Sequence, residues 1–203
     1  MFNAFRYFKT ADGLRIRWGH LPPLQSDGRG TVVLLNGRTE YLEKYAETAG
    51  ELNRRGWAVY SFDWRGQGLS DRLVGNRLKG HVGRFRDYID DLEQFVDLIR
   101  QQGAAQPMIL MGHSMGGHIG LRYIRERRHA FTCAVLISPM IDIDLPALSR
   151  RWLHAYVKAA VRLGFGRGFV PGGAAYAHKD RIFADNPLTS DPERFQRRVA
   201  ELA

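Results

Sequence analysis

The chain has 203 residues, a formal net charge of +9, 44% hydrophobic residues and one cysteine. This length suffices for one domain with a substantial core, with or without a small appendage. A single cysteine excludes an internal disulfide framework, so a reducing compartment is expected. Cys133 adjoins the apolar run 134–137 and is predicted to be a buried free thiol.

Charge and apolar runs exclude further classes of protein. The basic balance suits a polyanionic partner. However, the arginines are spread along the chain without a nucleic-acid module, so we predict that the protein does not bind nucleic acid. The N-terminus lacks the apolar stretch of a secretory signal, and no run is long enough to span a bilayer. The expected location is therefore the cytoplasm or the periphery of the inner membrane.

Hydrophobic spacing predicts strands first, and then strands that alternate with helices. Two short strands flank the turn dipeptide Asp12-Gly13. The run 31–35 lacks alternation, which is typical of a strand buried on both faces. The other predicted elements are a helix over 40–55, a strand over 57–62, a helix over 87–102, a strand over 107–111, a helix over 115–127 and a strand over 131–138.

This order predicts the α/β class, with a mostly parallel sheet and helices on both faces. The composition changes after residue 139, and no clear strand follows. In that last part the spacing predicts a helix over 149–163, and Asp191-Pro192 is typical of the start of another helix. The expected division is a core over 1–141 and a helical part over 142–203.

The stretch Gly112–Gly117 joins a predicted strand to a predicted helix and contains Ser114. A serine hydroxyl is a poor nucleophile and must stand clear of the sheet, where a base can take its proton. A sharp strand-to-helix turn achieves this, and its glycines remove the Cβ atoms that would clash. An ordinary glycine-rich turn lacks this context, so the pattern favours Ser114 as a nucleophile, with the Met115 N–H facing a developing oxyanion.

Three polar stretches follow predicted strands. Asn36-Gly37 comes after the first parallel strand, 63–70 after the next, and Ser114 after a third. The carboxyl ends of parallel strands meet at one edge of a sheet, which is where ligands bind in such folds. The sequence therefore predicts one site at this edge.

Four stretches along nearly the whole chain have a recognisable pattern. They are Leu35–Glu40, Asp63–Ser70, Gly112–Gly117 and Asn186–Asp191. Together they resemble the α/β-hydrolases, in particular the lysophospholipase L2 and monoacylglycerol lipase group of serine aminopeptidase S33-like proteins. The resemblance implies the α/β-hydrolase fold and a serine esterase that acts on a single-chain acyl ester. It also implies a helical cap over the site, of which 142–203 would be the first part.

The resemblance assigns roles to particular residues. Ser114 matches the nucleophile, and the N–H groups of Met115 and Arg38 match the two oxyanion-hole donors. Asp63 and Arg65 match a loop that is usually structural, so we expect a buried ion pair or hydrogen-bond anchor there.

The resemblance ends before the triad is complete. In this family an Asp and then a His follow on loops after two late strands, and no such strands are predicted here. We therefore predict no triad acid or base in this chain, no metal site and no cofactor. The acidic residues and histidines that we do not assign to the triad are Asp142, Asp144, His81, His113, His118, His154 and His178.

Three hypotheses about function remain open. In the first, the chain is the N-terminal portion of a lysophospholipid or monoacylglycerol hydrolase that forms a Ser114 acyl-enzyme. This portion alone would be nearly inert, because general-base assistance is missing. In the second, it is a non-catalytic binding module with a groove but no base. In the third, it is an esterase or peptidase of the same fold with another substrate.

The predicted helix 149–163 carries a basic stripe beside an apolar side. Arg150, His154, Lys158 and Arg162 follow each other at intervals of four residues. The pattern is typical of a helix that lies on an anionic lipid surface. It is also typical of an amphipathic cap helix that packs on a core. The expected partners are a small lipid ester substrate and, if the helix lies on lipid, a membrane surface.

Overall fold

Six strands form one sheet in the order β1-β2-β4-β3-β5-β6. The computed structural model describes residues 2, 4–24, 28–127, 130–142, 147–169, 183 and 189–201. The strands are β1 (Phe5–Lys9), β2 (Arg15–Leu21), β3 (Gly30–Leu35), β4 (Trp57–Phe62), β5 (Met108–His113) and β6 (Cys133–Ile137). The helices are α1 (Ala46–Arg54), α2 (Phe85–Gln101), α3 (Met115–Glu126), α4 (Ala147–Arg162) and α5 (Pro192–Glu201).

The sheet is mostly parallel, as the element order predicts. Strands β1 and β2 form the expected antiparallel hairpin around Asp12-Gly13, and β2 also runs antiparallel to β4. Strands β4, β3, β5 and β6 are mutually parallel. All six residues of β3 are buried, which confirms the prediction of a strand covered on both faces.

Helices cover both faces of this sheet. Successive strand residues point to opposite faces, and in β3 they belong to two separate clusters. Val33 and Leu35 pack in the larger cluster with residues of α2 and α3. Leu34 packs in the smaller cluster with Ala49 of α1. The α/β class predicted from the spacing is confirmed.

The helix predicted over 40–55 begins later than the spacing indicates. A single 3-10 turn covers Leu42–Tyr45, and α1 follows from Ala46. The Leu42 N–H donates to Asp63 Oδ1 at 2.9 Å instead of lying within a regular helix. Tertiary contacts of this segment therefore override its helical spacing.

The prediction that Cys133 is buried is wrong. The thiol is free and exposed, because β6 forms the edge of the sheet among the described residues. Val135 and Ile137 of the same strand are exposed as well. An edge strand lacks the neighbour that would cover it, which an apolar run in a sequence does not reveal.

The chain divides into two compact units, residues 1–143 and 144–203. The described part of the second unit contains α4 and α5 and no strand. Asp191 Oδ1 accepts from the N–H groups of Glu193 (2.9 Å) and Arg194 (3.2 Å), which confirms the predicted start of α5. Within the described residues, no helix is both long and apolar enough to cross a membrane.

Asp63 is fully buried at the end of β4 and connects three segments of the first unit. Its carboxylate accepts from the N–H groups of Leu42 and Leu69, both at 2.9 Å, and from Arg17 Nε at 2.7 Å. Burial raises the pKa of Asp63, even though the charge of Arg17 lowers it. The other guanidinium nitrogens of Arg17 donate to Glu43 at 2.8 and 2.7 Å.

Arg65 makes a second buried ion pair in the same loop. It donates to both oxygens of the fully buried Asp91 at 2.6 Å and to Asp12 at 2.8 Å. Each hydrogen bond from the guanidinium to a carboxylate is charge-assisted. The structural role expected for Asp63 and Arg65 is confirmed.

We predict that Arg17→Met lowers the free energy of unfolding by about 3–5 kcal/mol, because it leaves the Asp63 charge buried without its cation. Urea denaturation followed by tryptophan fluorescence measures the loss. Arg15→Met is the matched control, since Arg15 pairs with Asp71 at 3.1 Å but is largely exposed. Equal losses in the two variants would contradict this account.

Candidate functional site

Ser114 lies at the sharp turn between β5 and α3. Its backbone has φ 50° and ψ −116°, a left-handed conformation that is costly for a residue other than glycine. The turn is held from the side of β6: the Ser114 N–H donates to Ile137 O, and the Met140 N–H donates to Ser114 O, both at 3.0 Å. The strain is thus maintained by the surrounding backbone.

Two glycines let this turn approach the sheet. A Cβ atom on Gly116 would lie 2.5 Å from the carbonyl oxygens of Leu35 and Asn36. A Cβ atom on Gly112 would lie 2.8 Å from the Cα of Gly117. Both partners are backbone atoms and cannot move aside, so α3 packs against the end of β3 only because these side chains are absent.

The loop after β3 lies at the same edge of the sheet. Leu35 at the end of β3 is the register partner of Gly112, so the chain leaves both strands side by side. Asn36 is fully buried and donates from Nδ2 to Phe62 O at 3.2 Å. The backbone carbonyl of Asn36 accepts from Trp64 Nε1 at 2.8 Å. The three stretches predicted to meet at one edge of the sheet are therefore joined.

Two backbone N–H groups at this edge have no acceptor among the described residues. Met115 is the first residue of α3, and the N–H groups of a first helical turn lack intrahelical partners. Arg38 lies in the loop after β3, next to Thr39, which has a positive φ of 58°. Such uncommitted donors can stabilise a negative oxygen.

Sequence reasoning missed a polar cluster beside the turn. Glu40 is almost fully buried and contacts His113 Nδ1 at 3.1 Å, and it also accepts from the Gly37 N–H at 2.6 Å. Lys44 and Tyr45 donate to the same carboxylate. The spacing placed Glu40 at the start of a helix, and no local pattern indicates that it faces a residue 73 positions away.

The other histidines and acidic residues that we do not assign to the triad lie in different parts of the chain. His118 has its ring 5.2 Å from Phe85, and its Nδ1 is buried without a partner among the described residues. No hydrogen bond joins a described histidine to the Ser114 hydroxyl. His154 belongs to α4 of the second unit, whereas Asp144, His178 and residues 186–188 of the fourth matching stretch lie outside the described residues. In the described ranges, no group of three or more His, Cys, Asp or Glu side chains could hold a metal ion.

A cavity of about 240 Å³ borders the Glu40 cluster. Its wall is part polar and part apolar. It is lined by Leu34, Glu40, Lys44, Tyr45, Thr48, Met111, His113 and Ile137.

The geometry of the turn can be compared with known proteins. The profile of the family described as serine aminopeptidase, S33, matches residues 26–199. The chain belongs to the serine aminopeptidase S33 family. The chain is 35% identical over 170 residues to lysophospholipase L2 of Escherichia coli K12, a match that covers 83% of this chain and 49% of that protein.

Two further relatives match the chain at similar identity. A monoacylglycerol lipase of Mycolicibacterium smegmatis is 30% identical over 135 residues, which cover 66% of this chain and 46% of that protein. The probable lysophospholipase L2 of Haemophilus influenzae is 32% identical over 171 residues, which cover 84% and 53%. The chain thus spans about half the length of the curated relatives it matches.

Solved structures show the same fold at lower identity. A thermostable carboxyl esterase of Bacillus coagulans superposes with a TM-score of 0.69 at 20% identity, over 82% of this chain and 52% of that one. A monoglyceride lipase of Saccharomyces cerevisiae gives a TM-score of 0.63 at 22% identity, over 80% and 53%. The α/β-hydrolase fold that the motifs implied is confirmed.

We predict that Gly116→Ala disrupts the turn, because the added methyl group would meet two backbone oxygens that cannot move aside. The expected result is a loss of stability at the upper end of the usual range for one substitution, about 3 kcal/mol or more. Thermal unfolding measures it. Gly50→Ala is the control: its Cβ would meet only Arg54 Nη1 at 3.9 Å, and alanine favours the helix there.

A Gly116→Ala variant that unfolds at the wild-type temperature would show that α3 does not depend on this close approach.

Proposed function

We propose that the protein is a serine hydrolase that cleaves carboxylic esters of single-chain lipids, lysophospholipid or monoacylglycerol, through an acyl-enzyme on Ser114. The observation that supports this proposal is the strained turn at Ser114, beside two backbone N–H groups that have no acceptor within the described part of the chain. Relatives named lysophospholipase L2 and monoacylglycerol lipase support the class of substrate.

In the proposed reaction Ser114 Oγ attacks the ester carbonyl carbon, and the carbonyl oxygen becomes negative. The N–H groups of Met115 and Arg38 donate to this oxygen in the transition state, where one such donor is worth about 10²–10³ in kcat. The alcohol leaves with a proton, and the acyl group stays on Ser114. Water then attacks the acyl-enzyme and releases the fatty acid.

The proton from Ser114 needs an acceptor. Among the described residues, no histidine is hydrogen-bonded to the Ser114 hydroxyl: His113 Nδ1 instead lies 2.9 Å from Tyr45 Oη, and the His20 ring stacks 4.0 Å from Tyr60. We therefore place the general base and the carboxylate that orients it outside the described residues. The oxyanion donors could bind a carbonyl without a base, but turnover requires one.

Residues 142–203 are proposed as the first part of a helical cap. In α4, Leu153, Val157 and Ala160 are half-buried, whereas Trp152 and Tyr156 are exposed. Exposed apolar side chains on a basic helix suit an anionic lipid surface, and we propose such a peripheral contact for this helix.

We predict that Ser114→Ala lowers esterase turnover by several orders of magnitude, because the nucleophile acts in every productive step. The assay uses the product of the complete reading frame, with lysophosphatidylcholine, monoacylglycerol and p-nitrophenyl esters as substrates. Ser138→Ala is the matched control, since Ser138 also has a positive φ, of 43°, but has no proposed role.

Near-normal turnover by the Ser114 variant would defeat the assignment. An inactive wild-type protein that still binds lipid would favour the binding module. Preference for peptides over esters would favour another substrate on the same fold.

We predict that changing Arg150, Lys158 and Arg162 together to Glu weakens binding to vesicles that contain phosphatidylglycerol, since each basic residue near an anionic surface contributes about 1 kcal/mol. Sedimentation with vesicles measures the bound fraction. The matched control changes three exposed arginines of the first unit to Glu. These are Arg54, Arg55 and Arg77.

Equal vesicle binding by the two triple variants would leave α4 as a plain amphipathic cap helix without a lipid role.

A further inference from the structure

The buried carboxylate of Glu40 connects the loop after β3 to the turn at Ser114. Its Oε2 accepts from the Gly37 N–H at 2.6 Å and lies 3.1 Å from His113 Nδ1. Gly37 directly precedes Arg38, and His113 directly precedes Ser114. One oxygen atom therefore contacts the neighbours of both an oxyanion donor and the nucleophile.

Every contact of this carboxylate comes from a donor. Oε1 accepts from Lys44 Nζ, and Oε2 also accepts from Tyr45 Oη. Burial alone would raise the pKa of Glu40, but the hydrogen bonds from Lys44 and Tyr45 outweigh it and hold the pKa below its ordinary value. Burial and the Glu40 charge raise the pKa of Tyr45, so its phenol keeps its proton.

These contacts fix the hydrogen of His113. The Tyr45 hydroxyl donates to Glu40, so it cannot also donate to His113 Nδ1, which lies 2.9 Å away. A carboxylate accepts only. Nδ1 therefore carries a hydrogen and is the donor in the contact with Glu40.

The Glu40 cluster leaves no room for a side chain at Gly37. A Cβ atom on Gly37 would lie 2.5 Å from Glu40 Oε2 and 3.0 Å from His113 Nδ1. The backbone of the loop can approach the two side chains this closely only at a residue without a Cβ. The carboxylate thus lies directly between Gly37 and His113.

We propose that Glu40 is a positioning residue that sets the distance between the Arg38 and Met115 N–H groups by joining Gly37 to His113. This proposal rests on the proposed function of Ser114. One donor lies in the loop after β3 and the other at the start of α3, and no backbone hydrogen bond joins them directly within the described part of the chain. A displacement of about 1 Å between catalytic groups can cost roughly 10²-fold in rate.

Glu40→Gln tests the proposal, because both carboxylate oxygens face donors and the new NH₂ group must meet one of them in either orientation. Glu43→Gln is the matched control: both oxygens of Glu43 also accept, from Arg17 at 2.8 and 2.7 Å, three residues further along the same segment. Steady-state kinetics with a lysophospholipid are measured for both variants in the product of the complete reading frame, with Ser114→Ala alongside.

We expect Glu40→Gln to lower kcat by about 10- to 100-fold with KM nearly unchanged, because the loss falls on the transition state. Glu43→Gln should keep kcat near the wild-type value, although it removes a charged partner of Arg17. Tyr45→Phe deletes a single donor to Oε2, so it should also lower kcat, but by a smaller factor than Glu40→Gln does. It serves as the second variant where Glu40→Gln does not fold.

Equal kcat values for the Glu40 and Glu43 variants, or a kcat of Tyr45→Phe equal to that of the wild type, would overturn the proposal. If the Ser114→Ala variant keeps the turnover of the wild type, the proposed function itself would be overturned. A second readout does not depend on turnover: ¹⁵N NMR of the histidine side chains, with His113→Gln for assignment, should show a hydrogen on His113 Nδ1. An unprotonated Nδ1 would contradict the contact with Glu40 on which the proposal depends.

Discussion

The direct packing of α3 against the end of β3 is the constraint on which the rest of this site depends. Backbone atoms of Leu35 and Asn36 occupy the space that a side chain at Gly116 would need. The chain must therefore leave β5 and enter α3 within one residue, and that residue takes a strained conformation. The hydrogen bond that Ser114 donates to Ile137 O of β6 and the one that it accepts from the Met140 N–H hold this conformation in place.

The loop after β4, which contains Asp63 and Arg65, is stabilised by buried ion pairs. Arg17 and Arg65 are almost fully buried, and each pairs with a fully buried carboxylate, Asp63 or Asp91. Each of these two pairs is neutral, so the net charge of +9 is carried by the other residues of the chain. Buried ion pairs give directional contacts, which suits a loop that keeps one shape at this edge of the sheet.

Much of the fold could be predicted because it depends on local patterns. Alternation, apolar runs and the glycines around Ser114 determine strands, helices and the turn within windows of a few residues. The same reasoning failed where a contact from a distant part of the chain decides. Leu42 begins a 3-10 turn because Asp63 takes its N–H, and Cys133 is exposed because its strand lies at an edge.

The candidate site shows the same division. Ser114 and its glycines are readable from spacing, because the strand-to-helix turn is itself local. Glu40 is not, since its role depends on His113, which is far away in sequence and adjacent in space. A carboxylate that links two loops leaves no periodic signal. It can be found only when the strands that bring the loops together are known.

The backbone conformation of Ser114 also limits which side chains can replace serine at this position. At φ 50° a β-branched side chain is strongly disfavoured, because its second Cβ substituent crowds the neighbouring carbonyl groups. Threonine is thus a poor substitute although it carries the same hydroxyl, whereas cysteine has an unbranched Cβ and keeps the required shape. If Ser114 is the nucleophile as proposed, this turn therefore accepts a thiol in place of the hydroxyl but disfavours a secondary alcohol.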